Sequence, residues 1–171
     1  DYNYRGTERT TVSVLGAHNF GNGLSFGGTL RYSDGADDFG YAYVSDGTPT
    51  DGTVDRAFFA SDGTSENMIS DLHLTYAGFL GGAASTTTAG VEFSWSDDSD
   101  KRYYGAAPSV DRDNPTYTGR PASVPIFADL DTETEGKALY LQQELNWNER
   151  FIASFGLRHD WIDVTGTNNL A

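Results

Sequence analysis

The sequence predicts an all-β fold, an antiparallel up-and-down transmembrane β-barrel segment of about six strands. Three observations point to it. The 171 residues include 20 Gly, 10 Tyr and 10 Phe, a composition that favours strands over helices. Apolar residues alternate with polar ones in runs of about ten, the length of a tilted strand that crosses a bilayer. The connections are short at one end of the runs and long at the other, as in outer-membrane barrels.

Charge and composition exclude several other classes of protein. The chain has 11 basic and 25 acidic residues and a net charge of −14, which argues against a nucleic-acid partner. It contains no cysteine, which excludes disulfides, thiolate metal sites and a cysteine nucleophile. No apolar run reaches the roughly 18 residues of a spanning helix, and the first residues do not form a signal peptide. A mature or excised segment is expected, and a helical membrane protein is not.

The first strand pair is predicted on either side of residues 20–23, which contain an Asn-Gly turn signal. Alternation is clear from Leu24 to Tyr32 and weaker in the preceding stretch, where Val12 and Val14 alternate with polar residues. One face of this hairpin is therefore expected to be apolar and the other polar.

Two further strand pairs repeat the pattern, with turns at residues 78–82 and 148–150. The residues predicted to face lipid in these strands are Leu72, Leu74, Val91, Phe93, Leu139, Leu141, Phe155 and Leu157. Those predicted to face the barrel lumen are Asp71, Glu92, Glu144 and Arg158. Glu92, Glu144, Arg158 and Asp160 are expected to form a polar ladder inside the wall. A slip of one residue in register would exchange the two faces.

Aromatic residues and long connections extend the barrel interpretation. An aromatic girdle is predicted from Tyr32, Tyr76, Trp95, Trp147 and Trp161, which lie near strand ends. The three tight connections are predicted as periplasmic turns, and residues 33–66 and 97–136 as two long extracellular loops. A soluble sandwich also alternates, but it seldom carries two structureless connections of this length.

The number of strands indicates an incomplete barrel. Six spanning strands fall short of the roughly eight found in the smallest closed barrels. Residues 1–171 are therefore expected to form a single partial domain, or to close a barrel together with other chains.

Four short strings occur in a characteristic order and spacing. They are RAFFASDG at residues 56–63, AGVEF at 89–93, LYLQQ at 139–143 and GLRHDW at 156–161. Together they resemble the barrel of TonB-dependent siderophore receptors, specifically the ferrichrome-type hydroxamate branch. Residues 105–117 resemble the loop that precedes the LYLQD strand of this family, in which Gln143 here replaces the final Asp.

The resemblance implies a function for the chain. It would be an outer-membrane segment of a Gram-negative receptor that takes up an iron–siderophore complex, a ferric hydroxamate, and is energised through TonB. In such receptors a barrel of about 22 strands is closed by an N-terminal plug domain. The plug and the TonB box are expected to be absent here, so that the chain is the middle part of the barrel.

The resemblance also implies partners. They are the iron–siderophore complex, outer-membrane lipid and lipopolysaccharide, the TonB system through the plug region, and the remaining barrel strands. No cofactor and no protein ligand to iron is expected.

Three tyrosines are the candidate ligand-binding residues. Tyr41 and Tyr43, in the stretch FGYAY, resemble the paired tyrosines that face the iron chelate in this family, although the cysteine pair that often follows is missing. Tyr104 lies where the family has an aromatic residue in contact with the ligand. All three are predicted to line one outward-facing pocket, and the alternative is that they are girdle or loop-packing aromatics.

No metal site and no enzyme activity are predicted. Acidic clusters such as Asp97, Asp98 and Asp100 could supply oxygen ligands to Ca²⁺, but solvated loop charge is the simpler interpretation. The three histidines are spread over three hairpins, and no catalytic motif is present. Two other classes stay open on the residues alone, a passive porin-like barrel wall and a soluble secreted β domain that binds glycan.

Overall fold

A computed structural model describes residues 3–45, 52–117, 119, 121 and 123–170. The strands are β1 (Tyr4–Asn19), β2 (Leu24–Val44), β3 (Thr53–Leu80), β4 (Ala83–Asp111), β5 (Ile126–Trp147) and β6 (Phe151–Asn168). They form one sheet in chain order, and every neighbouring pair is antiparallel. The predicted six-stranded meander is confirmed. Within the described ranges, no helix has the length and apolarity needed to cross a membrane.

Three tight turns join the strands at one end of the sheet, as predicted. Gly81 and Gly82 connect β3 to β4 with φ values of 58° and 81°, the left-handed conformation that a two-residue hairpin turn requires. Asn148 and Glu149 adopt the same conformation between β5 and β6, with φ values of 54° and 59°. There the backbone N–H of Glu149 donates a 2.9 Å hydrogen bond to the side-chain oxygen of Asn146, which stabilises the turn.

The register separates the side chains into two faces, as predicted. Leu72 lies opposite Val91, and Val91 lies opposite Leu139, while Asp71 lies opposite Glu92. All eight residues predicted to face lipid lie on the side of Leu72, here called the lipid face. The four residues predicted to face the lumen lie on the side of Asp71, here called the lumenal face.

The apolar side chains of the lipid face are not covered by protein. Leu139 is 52% exposed and Leu157 is 75% exposed. In a soluble sandwich such residues would be buried between two sheets. A continuous exposed apolar surface of this kind is typical of a sheet whose other contact is lipid.

The predicted girdle residues lie at two levels on the lipid face. Tyr76 and Trp147 lie close to the tight turns, whereas Tyr32, Trp95 and Trp161 lie about eight to ten residues further out in the ladder. At the second level the Tyr32 hydroxyl donates a 3.2 Å hydrogen bond to Glu66, and the Trp95 indole N–H donates a 3.0 Å hydrogen bond to Glu133, each on the neighbouring strand and two residues further out. The apolar belt between the two levels is therefore bounded by amphipathic rings on both sides.

The two predicted extracellular loops need a correction of their boundaries. Most of residues 33–66 belongs to β2 and β3, and most of residues 97–136 belongs to β4 and β5. The connections themselves span only residues 45–52 and 112–125. The strands were missed because the stretches just beyond the apolar belt, such as residues 33–38 and 61–66, have polar or small residues on both faces, so that no apolar alternation marks them, although their backbone pairing continues.

A small core fixes the outer part of β3. Phe58 and Ala60 are fully buried on the side of the lipid face and pack with Ala107. Val124, from the connection between β4 and β5, covers this core. Since side chains alternate along a strand, burying Phe58 on one side directs Phe59 to the lumenal face.

Candidate ligand-binding site

Six aromatic side chains gather on the lumenal face at the end of the sheet away from the tight turns. This outer aromatic cluster consists of Phe39, Tyr41, Tyr43, Phe59, Tyr104 and Phe127. Three of its members come from β2 by strand alternation, and the register places Phe59 of β3 between Tyr41 of β2 and Tyr104 of β4. Four neighbouring strands therefore contribute to one surface.

Phe59 is the centre of the cluster. Its ring centroid lies 5.8 Å from that of Tyr41, 5.9 Å from that of Phe39 and 6.0 Å from that of Phe127. The ring of Phe127 in turn meets that of Tyr104 edge-on at 6.2 Å. Pairs of this geometry contribute about 0.5–1.5 kcal/mol each beyond the apolar area that they bury.

The position of Phe127 depends on a β-bulge. Arg102 pairs with Ala128 and Tyr103 pairs with Ile126, so that Phe127 has no partner in the ladder. An extra residue of this kind re-aims a side chain, and here it directs the Phe127 ring towards the ring of Phe59.

The three predicted tyrosines lie together in this cluster. The rings of Tyr41 and Tyr43 are 5.8 Å apart, and a side-chain hydrogen bond with Tyr104 is the main cause that raises the pKa of Tyr43. Each of the three tyrosines keeps between 39% and 47% of its surface exposed. They are therefore accessible to a ligand.

Two arginine–aspartate pairs border the cluster on the lumenal face. Asp37, two residues before Phe39, accepts a 2.6 Å hydrogen bond from the Thr7 hydroxyl and lies 3.4 Å from the Arg5 guanidinium. The hydrogen bond from Thr7, together with Arg5, lowers the pKa of Asp37, so that this carboxylate is ionised at neutral pH.

The second pair lies below Tyr104. Arg102 forms a salt bridge with Asp100, and the Ser61 hydroxyl donates a 2.8 Å hydrogen bond to the same carboxylate. Ser61 lies opposite Arg102 in the ladder, so the pair spans β3 and β4 directly beneath the rings of Phe59 and Tyr104.

A polar network lines the lumenal face closer to the tight turns. The Arg158 guanidinium lies 2.8 Å from Glu92 and 2.8 Å from Asp160, which confirms those members of the predicted ladder. On the same face the Tyr140 hydroxyl donates a hydrogen bond to Asp71, a contact that the sequence did not predict. Glu144 lies on the same face, nearer to the turns.

The candidate site was also compared with the ligand sets of metal ions. Among the residues that the structure describes, no cluster of three or more His, Asp or Glu side chains could hold a metal ion. What the cluster offers is flat apolar area with phenol hydroxyls at its edge, which suits contact with a ligand by shape and hydrogen bonding.

Sequence reasoning missed Phe39, Phe59 and Phe127. Phe39 shares the parity of Tyr41 and Tyr43, and that parity could have included it. The alternation of side chains along β3 would have assigned Phe59 to the lumenal face, but only if the outer half of that strand had been recognised as strand. Phe127 has no sequence signal, because its direction results from the bulge.

Fold and site together define a class of protein. A sheet with a lipid face bounded by aromatic rings, a polar lumenal face and outer strands that extend beyond the belt is part of the wall of a transmembrane β-barrel. The whole chain, residues 1–171, matches the family model for the TonB dependent receptor-like β-barrel. The chain belongs to this family.

The chain is similar to characterised receptors over nearly its whole length. It is 23% identical over 170 residues to the Ferrioxamine B receptor of Salmonella typhimurium, covering 99% of this chain and 24% of that receptor. It is also similar to the structure of the pyoverdine outer membrane receptor FpvA from Pseudomonas aeruginosa PAO1 bound to pyoverdine, with a TM-score of 0.85 and 18% identity, covering 98% of this chain and 25% of that one. The ferric-catecholate import receptor Fiu from E. coli K12, in its closed form, gives a TM-score of 0.83 and 19% identity with the same coverage.

These similarities confirm the barrel fold and the resemblance to TonB-dependent siderophore receptors. The chain spans about a quarter of the length of these relatives. Because TonB-dependent receptors are outer-membrane barrels of Gram-negative bacteria, the chain is a segment of an outer-membrane protein. The named relatives are receptors rather than enzymes, and their ligands differ, so the fold does not determine which ligand is bound.

Proposed function

We propose that this chain forms part of the wall and the outer binding surface of a receptor that imports a ferric siderophore of the hydroxamate type. The observation that carries the proposal is the outer aromatic cluster, in which tyrosines from β2 and β4 meet around Phe59. Its location on the lumenal face, at the end of the sheet opposite the tight turns, is the position of an entrance.

The chemistry of the cluster suits a chelate whose iron is already saturated. Phenyl and phenol rings cover the apolar periphery of such a complex, and the tyrosine hydroxyls donate hydrogen bonds to its oxygen atoms. No side chain needs to bind iron directly. The similarity to the Ferrioxamine B receptor supports the hydroxamate class, since that relative is named for a ferric hydroxamate.

In this proposal the segment binds and the rest of the receptor transports. Energy reaches the bound chelate through TonB acting on the plug region of the full-length protein, and outer-membrane lipid and lipopolysaccharide surround the lipid face. The network around Arg158 lines the interior of the wall, and it needs no part in chelate binding because it lies well below the outer aromatic cluster.

The test is uptake of radiolabelled ferrichrome by cells in which the full-length protein is the only receptor for it. The proposal predicts uptake that stops when TonB is deleted. Uptake that continues without TonB would favour the porin-like wall. Absence of uptake and of binding would retire the siderophore assignment and leave the barrel intact.

A further inference from the structure

We infer that Asp37 and Asp100 make the outer aromatic cluster selective for uncharged ferric chelates, by neutralising the two guanidinium groups that border it. The inference rests on the proposed function, because it specifies the charge class of the chelate that the same surface accepts. The two carboxylates act as specificity-determining residues rather than as ligands.

The first guanidinium is held at the edge of the cluster on β1. Arg5 lies opposite Phe39 in the ladder, so its side chain emerges beside the first ring of the cluster. There its guanidinium faces Asp37, whose carboxylate is fixed by the 2.6 Å hydrogen bond from Thr7. The carboxylate cannot turn away from Arg5 without losing that bond.

The second guanidinium is held under the cluster on β4. Arg102 is two residues from Tyr104 on the same face and forms a salt bridge with Asp100. Ser61 donates a 2.8 Å hydrogen bond to the other oxygen of Asp100 and so fixes this carboxylate from β3. Both pairs have the same design, an arginine beside a ring and an aspartate fixed by a hydroxyl of the neighbouring strand.

Three other cations of the described residues bear on this surface. Arg56 lines a cavity together with Tyr43, but its guanidinium donates to the Pro108 carbonyl oxygen and lies over the Tyr117 ring. Arg9 lies opposite Gly35, four residues from Phe39 towards the tight turns. Lys101 extends from the lipid face and lies 3.2 Å from Asp129. The lumenal surface therefore presents rings and hydroxyls, and Arg5 and Arg102, the two guanidinium groups beside these rings on that face, are each paired with an aspartate.

Chelate charge then decides what the surface accepts. A ferric tris-hydroxamate on an uncharged backbone has no net charge and needs only shape and hydrogen bonds. A ferric tris-catecholate has a net negative charge and needs unpaired cations, since burying a charge without a partner is costly. The chain's net charge of −14 adds long-range repulsion against an anionic chelate.

The experiment compares two probes in the full-length protein, uncharged ferrichrome and the trianionic iron complex of enterobactin. The test variant is the double substitution Asp37→Asn with Asp100→Asn, which keeps side-chain size and frees both guanidinium groups. The matched control is Asp62→Asn, because Asp62 lies opposite Asp38 and Lys101 on the lipid face. The double variant removes two negative charges and the control removes one. Twice the change in binding free energy measured for the control therefore corrects for the difference in total charge.

We expect the wild type to bind ferrichrome in preference to ferric enterobactin. The double variant should bind ferric enterobactin about tenfold more tightly. Its affinity for ferrichrome should stay within about twofold of the wild type, since the rings are unchanged. Asp62→Asn should change neither affinity by more than about twofold.

Four outcomes would overturn the inference while the proposed function stands. They are equal affinity of the wild type for both chelates, no gain for ferric enterobactin in the double variant, an equal gain in Asp62→Asn, and loss of ferrichrome binding in the double variant. If the wild type binds neither chelate, the proposed function fails and the inference fails with it.

Discussion

The hydroxyl of Tyr140 on β5 donates a 2.7 Å hydrogen bond to the carboxylate of Asp71 on β3, two strands away. The ring has to pass over β4 to reach it, and it passes at Gly90, which lies opposite Tyr140 in the ladder. A Cβ at position 90 would clash with the Tyr140 ring and its hydroxyl oxygen. The same carboxylate lies 2.7 Å from Nδ1 of His73, also on β3, so a missing side chain on β4 allows β3 and β5 to share one network across it.

Gly90→Ala should therefore destabilise the barrel wall. The added methyl group displaces the Tyr140 ring and breaks its hydrogen bond to Asp71, at a cost of about 1–3 kcal/mol. Gly156→Ala is the matched control, because Gly156 is on the same face in β6, on the other side of β5, and a Cβ there meets only an ordinary contact, 3.5 Å from the Leu141 carbonyl oxygen. Thermal unfolding of the full-length protein in detergent measures both. Equal stability of the two variants would show that the Tyr140 crossing contributes nothing.

The two faces of β5 can be tested by a pair of adjacent substitutions. Leu141→Arg places a charge on the lipid face, where it costs about 2–4 kcal/mol near the middle of the membrane. Gln142→Arg places the same charge on the lumenal face, where it is hydrated. The amount of folded protein in the outer membrane should fall for Leu141→Arg and stay close to wild type for Gln142→Arg. The opposite ranking would mean that the register is shifted by one residue.

The hydroxyl contact inside the outer aromatic cluster predicts a pH effect. The hydrogen bond with Tyr104, with smaller contributions from burial, raises the pKa of Tyr43 above the ordinary value of about 10. The associated stabilisation is complete below the ordinary pKa of tyrosine and is lost as the pH rises through the higher pKa of the folded protein. Tyr104→Phe removes the partner and should lower the pKa of Tyr43.

This shift can be followed by fluorine NMR of 3-fluorotyrosine placed at position 43. Because the label alters the pKa by itself, the comparison is between the labelled parent and the labelled Tyr104→Phe variant. Tyr4→Phe serves as the control, since Tyr4 packs against the Phe58 core on the other face. Identical titration curves for all three proteins would contradict the contact between Tyr43 and Tyr104.

The spanning part of the fold could be predicted because one face of each strand is apolar. Leu72, Val91 and Leu139 alternate with polar residues, and a period of two leaves no freedom in which face each residue occupies. The outer parts of the strands could not be predicted in this way. Asp34 pairs with Glu66 there, and two polar residues opposite each other look the same in the sequence as a loop.

The candidate site was predicted in part for a similar reason. The sequence paired Tyr41 with Tyr43, because residues two apart share a face, and the family resemblance added Tyr104. The central role of Phe59 follows from the pairing of β3 with both β2 and β4, which a single sequence does not display. Phe127 depends on a bulge whose position is set by the pairing of β4 with β5.

The central claim is that the outer aromatic cluster binds the chelate, and equilibrium titration of the full-length protein with ferrichrome tests it most directly. Tyr41→Ala, Tyr104→Ala and Phe59→Ala should each weaken binding by about 2 kcal/mol, or roughly 30-fold, because each removes a ring from the surface. Leu141→Ala, on the lipid face, should bind as the wild type does. Equal affinities in all four variants would contradict the assignment of the site.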